Sequence, residues 1–300
     1  MSVQVFKNLK QAIGNLDPEE IRRHTERPLR ICLYAHNETG YRRMEDFLLP
    51  PELSNAKRAE LTDVVYRASE SSTLPAESEL ELYYDDTPTG ELVPTSRVFA
   101  FRPDNPKQTI DDILRNRPDL AVPLGINLLG FREEVSKRII KKVAKENALF
   151  ALATAIPDIL PLVSLPWAIG EFATDTAFIT ANQMRMAFLL AATADHEIGY
   201  REQKSEIVSI MLGAFGWRAA ARELVGKIPL GGGLIPKAAI AYAGTRVVGL
   251  SLERFYRLGR AYSRQERHLA YQEALERGKT MATTLLDNFK LSKKELKAKL

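Results

Sequence analysis

The sequence predicts a mainly α-helical protein: a C-terminal multi-helix bundle rich in small apolar residues, with a small N-terminal α/β unit. Two observations support this fold class. Short runs with the length or alternation of β-strands occur before residue 105. From Lys107 onward, long stretches of Ala, Leu, Ile and Met are divided by Pro and Gly and show no strand pattern. The 45% hydrophobic and 27% charged content is typical of a globular chain.

The N-terminal residues are predicted to form two helices. Met1–Leu16 places its apolar residues at helical spacing, which favours an amphipathic helix over a signal peptide. Asp17 and Pro18 then have the pattern of a helix start, and this short helix is expected to end at Thr25.

Residues 27–105 are predicted to form the α/β unit. Three runs are assigned as strands, Leu29–Ala35, Leu80–Tyr84 and Arg97–Phe101, and two segments between them as helices, Tyr41–Leu49 and Asn55–Ala68. Pro and Gly at residues 86–90 indicate a loop. The predicted domains are amphipathic helices at 1–26, the α/β unit at 27–105, an apolar helical domain at 106–262 and a basic helical tail at 263–300.

Three long apolar segments raise the question of a membrane. They are Ala148–Ile169, Thr176–Ala194 and Leu230–Leu250, and each contains a charged residue: Asp158, Arg185, and Lys237 with Arg246. A charge at the centre of a span costs roughly 2.5 to 3.5 kcal/mol on insertion scales. Simple membrane-spanning helices are therefore disfavoured.

The second apolar segment carries a narrow polar stripe that includes Asn182 and Arg185, with Gln183 beside it. One interpretation is a core helix of a bundle whose stripe meets a polar partner. The alternatives are insertion at a membrane interface, or a stripe that faces a cavity for a small apolar ligand. In the third segment, Gly231–Gly233 and Pro236 predict a turn into a helix, and Ala239 and Ala243 predict close helix packing.

Basic residues are concentrated at the C-terminus. Residues 252–300 have a net charge of +6, which leaves −2 for the first 251 residues. A helix with arginines spaced three or four apart, and with aromatic residues between them, suits a lipid headgroup layer. Its residues are Arg254, Arg257, Arg260, Arg264 and Arg267. Nucleic acid is the less favoured partner because no nucleic-acid fold motif accompanies these residues. A separate Lys-rich helix is expected to begin at Ser292.

The helical half contains several short motifs in a recognisable order. They are Thr180–Met186, Gly216–Arg218, Ala221–Leu224, Ile228–Pro229 and Ala241–Thr245. Over roughly Asn147–Gly259, this pattern resembles the helical domain found C-terminal to P-loop GTPases of the YcjF type. The resemblance implies association with a membrane and a GTPase-like neighbour, and it implies no established biochemical activity.

The resemblance directs attention to the segment after the first predicted strand. Residues 35–42 have the length of a P-loop and its second glycine, Gly40. Tyr41 stands where Lys would bind the phosphates, and Arg42 where a hydroxyl would hold magnesium. Asp86 begins a segment similar to a switch motif but one residue too long. We expect either a degenerate, non-hydrolysing remnant or an unrelated α/β unit, and no active GTPase.

No catalytic, metal or cofactor site is predicted. The four histidines lack partners at metal-binding spacing, and no nucleophile elbow is present. Residues 195–197 are expected to form a surface turn. The single Cys32 favours a reducing compartment. The sequence therefore predicts a non-enzymatic module on the cytoplasmic face of a membrane, with lipid and protein partners. A soluble ligand-binding bundle and a nucleotide-dependent switch are the alternatives.

Overall fold

The computed structural model describes residues 18–25, 27–68, 78–84, 97–154, 175–210 and 234–299. The predicted fold class is confirmed, since a small parallel sheet precedes a set of long C-terminal helices. The first predicted helix, Met1–Leu16, lies outside the described residues. So do the loop at 86–90, most of Ala148–Ile169 with Asp158, and Gly231–Gly233.

The described elements are given in chain order. The first group is α1 (Pro18–Thr25), β1 (Ile31–Ala35), α2 (Glu38–Leu48), α3 (Asn55–Glu60), β2 (Val65–Arg67), β3 (Leu80–Tyr84) and β4 (Val98–Ala100). The second group is α4 (Pro106–Asn116), α5 (Ala121–Asn127), α6 (Leu129–Ala153), α7 (Asp175–Thr193), α8 (Leu234–Leu258) and α9 (Arg264–Lys299). Short 3-10 turns occupy Leu61–Asp63 and Pro118–Leu120, and residues 204–210 are also helical.

The described residues fall into two compact units. The sheet unit comprises Glu20–Lys137 together with Ala192–His196. The helical unit contains the described residues from Arg138 onward, apart from Ala192–His196. The sheet unit extends beyond the predicted α/β segment at 27–105. It includes α4, which is hydrogen-bonded to the residues that follow β4. The Thr109 hydroxyl of α4 accepts a hydrogen bond from the Arg102 amide at 3.0 Å.

The sheet is parallel throughout, with strand order β2-β1-β3-β4. Ile31, Leu33, Leu80 and Leu82 are fully buried on one of its faces. Met44 of α2 is also fully buried. Because strand residues alternate between faces, the apolar residues of β1 and β3 at these positions share one side of the sheet. That side forms the core of the unit.

One predicted helix is wrong over its second half. Asn55–Ala68 was expected to be a single helix, but α3 ends at Glu60 and the chain continues into β2. The amide of Ile31 donates to the Val64 carbonyl at 2.7 Å, and the amide of Ala68 donates to the Leu33 carbonyl at 2.9 Å. These ladder bonds, together with the β-branched and aromatic residues of β2, outweigh the helical pattern of the preceding residues.

The helical unit packs through small residues. Ala144, Ala148, Ala238 and Ala282 belong to one buried cluster that also contains Leu152. A Cβ added at Gly278 of α9 would lie 2.8 Å from the Ala239 carbonyl oxygen of α8. The backbones of α8 and α9 therefore approach closely, which confirms the close packing predicted at Ala239. Pro236 lies in the first turn of α8, as predicted.

The predicted boundary at Ser292 is wrong. The helix α9 runs without a break from Arg264 to Lys299, so Ser292 lies inside it rather than at a helix start. The residues on both sides are mainly Lys, Leu, Glu and Ala, which favour the helix strongly enough to carry it through one serine.

Candidate functional site

The polar stripe of α7 lies in a buried hydrogen-bonded cluster of the helical unit. The Asn182 side-chain amide donates to the Asn147 oxygen of α6 at 2.9 Å. The Asn147 amide donates to the Thr245 hydroxyl of α8 at 2.8 Å, and the Gln183 amide donates to the same hydroxyl at 3.2 Å. At most 3% of each of these four residues is exposed. The cluster links three helices that are distant in sequence.

An ion pair completes the cluster on its less buried side. Arg185 Nη1 lies 3.2 Å from Glu146 Oε2 and donates to Asn182 Oδ1 at 3.0 Å. The stripe thus meets polar partners, as the core-helix interpretation predicts. Asn182, Gln183 and Arg185 bond to neighbouring helices, so the alternative in which they face a ligand cavity has no support in this geometry.

The segment proposed as a degenerate phosphate loop does not form a loop of that length. Helix α2 begins at Glu38, and only two residues separate it from the end of β1 at Ala35. The Asn37 side chain caps this helix, because its Oδ1 accepts the Gly40 amide at 2.8 Å. Gly40 is therefore a buried helical residue, and its amide already has a partner within the protein.

The other residues proposed for that loop also have structural roles. The Tyr41 hydroxyl donates to the Ala68 carbonyl at 2.9 Å, and Arg42 pairs with Glu38 at 3.0 Å. Asp86 lies outside the described residues. These contacts agree with the alternative of an unrelated α/β unit, because sequence spacing alone does not distinguish a P-loop from a short turn followed by an Asn-capped helix.

The five arginines predicted to lie along one helix are divided between two helices and the turn that joins them. Arg254 and Arg257 belong to α8, Arg264 and Arg267 belong to α9, and Arg260 lies in the turn between them. Helix α8 ends because Gly259 adopts φ = 69°, a conformation that favours glycine, and its amide donates to the Phe255 carbonyl at 2.7 Å. The prediction of one continuous basic helix is wrong.

The turn between α8 and α9 is held by specific contacts. Ser263 and Glu266 form a capping box, in which each accepts the backbone amide of the other, at 2.8 and 3.2 Å. Arg254 pairs with Glu266 at 2.5 Å and stacks on the Tyr262 ring at 5.1 Å. The hydrogen bond from Arg254, followed by those from Ser263, lowers the pKa of Glu266 to about 2. Arg254 and Glu266 near the turn are therefore paired with each other and stabilise its structure.

Three arginines and two leucines are exposed in this turn and in the adjoining ends of α8 and α9. Leu258 is 49% exposed and Leu269 is 58% exposed. Arg260, Arg264 and Arg267 are also exposed and form no ion pair with any residue in the described ranges. We call these five residues the basic turn. Sequence reasoning missed the leucines, because Leu258 and Leu269 are indistinguishable from core residues until the break at Gly259 is known.

The remaining predicted features have structural explanations. Residues 195–197 form an exposed turn, as predicted, and Asp195 lies 3.1 Å from Lys57 and 3.6 Å from Arg132. Among the described residues, no cluster of His, Cys, Asp and Glu could hold a metal ion. In the same part of the chain, no helix is long and apolar enough to cross a bilayer.

Comparisons with family models, with curated proteins and with solved structures find no match to this chain. The resemblance to the GTPase-associated helical domain therefore stays a prediction that rests on the motifs of the sequence.

Proposed function

We propose that this chain is a non-enzymatic interaction module that binds the cytoplasmic surface of an anionic membrane through its basic turn. The observation that carries the proposal is that two exposed leucines and three exposed arginines lie close together in sequence, in the turn and in the adjoining ends of α8 and α9. None of these arginines forms an ion pair with a described residue. An interfacial anchor combines these two kinds of residue, since apolar side chains enter the headgroup boundary while basic side chains bind lipid phosphates.

The expected strength of this contact is modest. Each basic residue near an anionic leaflet contributes about 1 kcal/mol, so Arg260, Arg264 and Arg267 together contribute roughly 3 kcal/mol. Partial burial of Leu258 and Leu269 adds to this at about 25 cal/mol per Å² of apolar surface. Binding of this size is reversible and salt-sensitive, because exposed charges are screened over about 8 Å at physiological ionic strength.

The resemblance to YcjF-type helical domains supports the same location, because that family is generally considered membrane-associated. The uneven charge of the chain supports it too, since the +6 of residues 252–300 includes the three arginines of the basic turn. Peripheral attachment agrees better than insertion with a polar cluster buried among α6, α7 and α8, whose transfer into lipid would be costly.

Vesicle sedimentation tests the proposal. The full chain is expected to sediment with vesicles that contain phosphatidylserine, to bind phosphatidylcholine vesicles more weakly, and to dissociate in high salt. The double variant Arg260→Glu/Arg264→Glu should lose binding by at least about tenfold.

A matched double substitution on another helix distinguishes the effect of position from the effect of net charge on membrane binding. Lys141 and Lys142 are exposed on α6, and Lys141→Glu/Lys142→Glu makes the same change in net charge. This control should bind phosphatidylserine vesicles nearly as well as the wild type. Equal losses in the two double variants, or no binding by the wild type, would refute the basic turn as the membrane contact.

A further inference from the structure

The two faces of the parallel sheet differ in how they are covered. On one face, Leu33 and Leu82 are fully buried. The opposite face carries Cys32, Tyr34, Tyr66, Glu81 and Tyr83, which we call the tyrosine face. Cys32 is buried, but the other four residues are only half-buried. This is unusual, because parallel sheets normally have both faces covered.

The strand register gathers these side chains into one patch. Tyr66, Cys32 and Glu81 are direct neighbours across β2, β1 and β3. Tyr34 lies opposite Tyr83, and their rings stack with centroids 4.3 Å apart and planes 2° apart. The patch thus has an aromatic pair, Tyr34 and Tyr83, beside the carboxylate of Glu81, which lies two residues earlier than Tyr83 on β3.

Among the described residues, Glu81 has hydrogen-bond donors but no counter-ion. Its carboxylate accepts bonds from the Ser78 hydroxyl at 3.1 Å and from the Tyr83 hydroxyl at 3.4 Å. Within the ranges that the structure describes, it forms no ion pair, whereas Glu79 lies 3.9 Å from Arg30. Burial, and then the charge of Glu81, raise the pKa of Tyr83, so its hydroxyl stays protonated as a donor.

This combination is complementary to a planar cation. Aromatic ring faces attract cations, and a half-buried carboxylate gains most from a donor that is itself weakly hydrated. Arginine meets both conditions, because its guanidinium stacks on aromatic rings and binds a carboxylate through two parallel N–H groups. Lysine would supply the charge without the stacking surface.

We propose that the tyrosine face is a docking surface for a protein segment that presents an arginine side chain to Glu81. The Tyr34 and Tyr83 pair supplies the adjoining aromatic surface, and tyrosine is among the residues enriched at the centres of protein interfaces. The proposal concerns the sheet unit and shares no residue with the basic turn, so it does not depend on membrane binding.

Selection of random peptides displayed on phage, with the full chain as bait, tests the proposal. Selected peptides should be enriched in arginine relative to the starting library. Synthetic copies should bind Glu81→Gln at least about tenfold more weakly, because the substitution removes the charge and keeps an acceptor for Ser78 and Tyr83. Tyr34→Leu should also weaken binding, by about fivefold, because it removes the stacking surface.

Two controls make the result decisive. Glu52→Gln removes an exposed charge elsewhere in the sheet unit and should leave peptide binding unchanged. Unaltered thermal unfolding of Glu81→Gln would show that the fold is retained, and its sedimentation with vesicles should match the wild type. Failure to select any peptide, absence of arginine enrichment, or equal affinity for the wild type and Glu81→Gln would each overturn the proposal.

Discussion

At the scale of single residues, a substitution at Gly40 tests whether this glycine is needed for packing rather than for phosphate binding. A Cβ at this position would lie 2.6 Å from Tyr84 Cδ1 and 2.8 Å from Ala35 Cβ. We expect Gly40→Ala to lower the free energy of unfolding by about 1 to 3 kcal/mol through overpacking, although alanine favours helices. Chemical denaturation of the variant and the wild type measures this difference.

Gly130 provides the matched control for Gly40. It also lies in a helix of the sheet unit, but an added Cβ would have only the Phe47 carbonyl oxygen nearby, at 3.8 Å. Gly130→Ala should therefore leave stability unchanged or raise it by up to about 1 kcal/mol. If both variants behaved alike, the close contact of Gly40 with β1 and β3 would be wrong.

Thr245 is the hydroxyl on which the buried polar cluster converges. Thr245→Val keeps the shape of the side chain but removes the acceptor for the Asn147 and Gln183 amides. Two buried donors are then left unpaired, and we expect a loss of about 2 to 4 kcal/mol in denaturant unfolding. Thr284→Val is the control, because Thr284 is exposed on α9 and its hydroxyl bonds within its own helix. A change below about 0.5 kcal/mol at both positions would contradict the cluster.

The residue scale also shows where sequence reasoning stopped. The polar stripe could be predicted from helical spacing, and so could its need for a polar partner. The partners Glu146, Asn147 and Thr245 could not, because they lie 35 to 62 residues away from the stripe residues that they contact. Helical periodicity carries no information about which distant element will face the stripe.

At the scale of elements, the capped turn between α8 and α9 should depend on pH. The pKa of Glu266 is lowered to about 2 from its ordinary value of 4.5, chiefly by Arg254. A lowered pKa in the folded state means that the stabilisation is complete above about 4.5 and is lost as the pH falls towards 2. Glu266→Gln keeps the capping box and removes the charge.

Thermal unfolding of the wild type and Glu266→Gln as a function of pH tests this expectation. The wild type should have the higher midpoint at neutral pH, and the difference should shrink between about pH 4.5 and pH 2. A difference that is constant over this window would mean that the pair between Arg254 and Glu266 does not stabilise the turn.

The bounds of an element could be predicted where the local sequence pattern favoured only one type of secondary structure. The strand Leu80–Tyr84 was predicted with its observed bounds, because alternation over five residues favours no other element. The end of α8 was missed, although Gly259 and the Ser263-x-x-Glu266 pattern are both ordinary signals for a helix end and a helix start. The regular spacing of the arginines before and after these signals favoured the prediction of one continuous helix instead.

At the scale of the whole molecule, the two proposals assign one binding surface to each compact unit. The helical unit carries the basic turn, and the sheet unit carries the tyrosine face, whose one carboxylate has no counter-ion among the described residues. The opposite charges of these surfaces match the uneven distribution of charge along the chain. A module of this kind would bring an arginine-bearing protein segment to an anionic membrane without any chemistry of its own.

The most direct test of the membrane contact is a polarity-sensitive fluorophore attached at the basic turn. Leu269→Cys provides an exposed thiol for labelling, and the native Cys32 is only 1% exposed and does not compete. A second labelled protein, Lys141→Cys, places the same fluorophore on exposed α6. With phosphatidylserine vesicles, we predict a blue shift and increased intensity for the label at position 269 and no change at position 141. A label at 269 that still reports water while the protein is bound to vesicles would contradict the assignment of the basic turn as the membrane-binding surface.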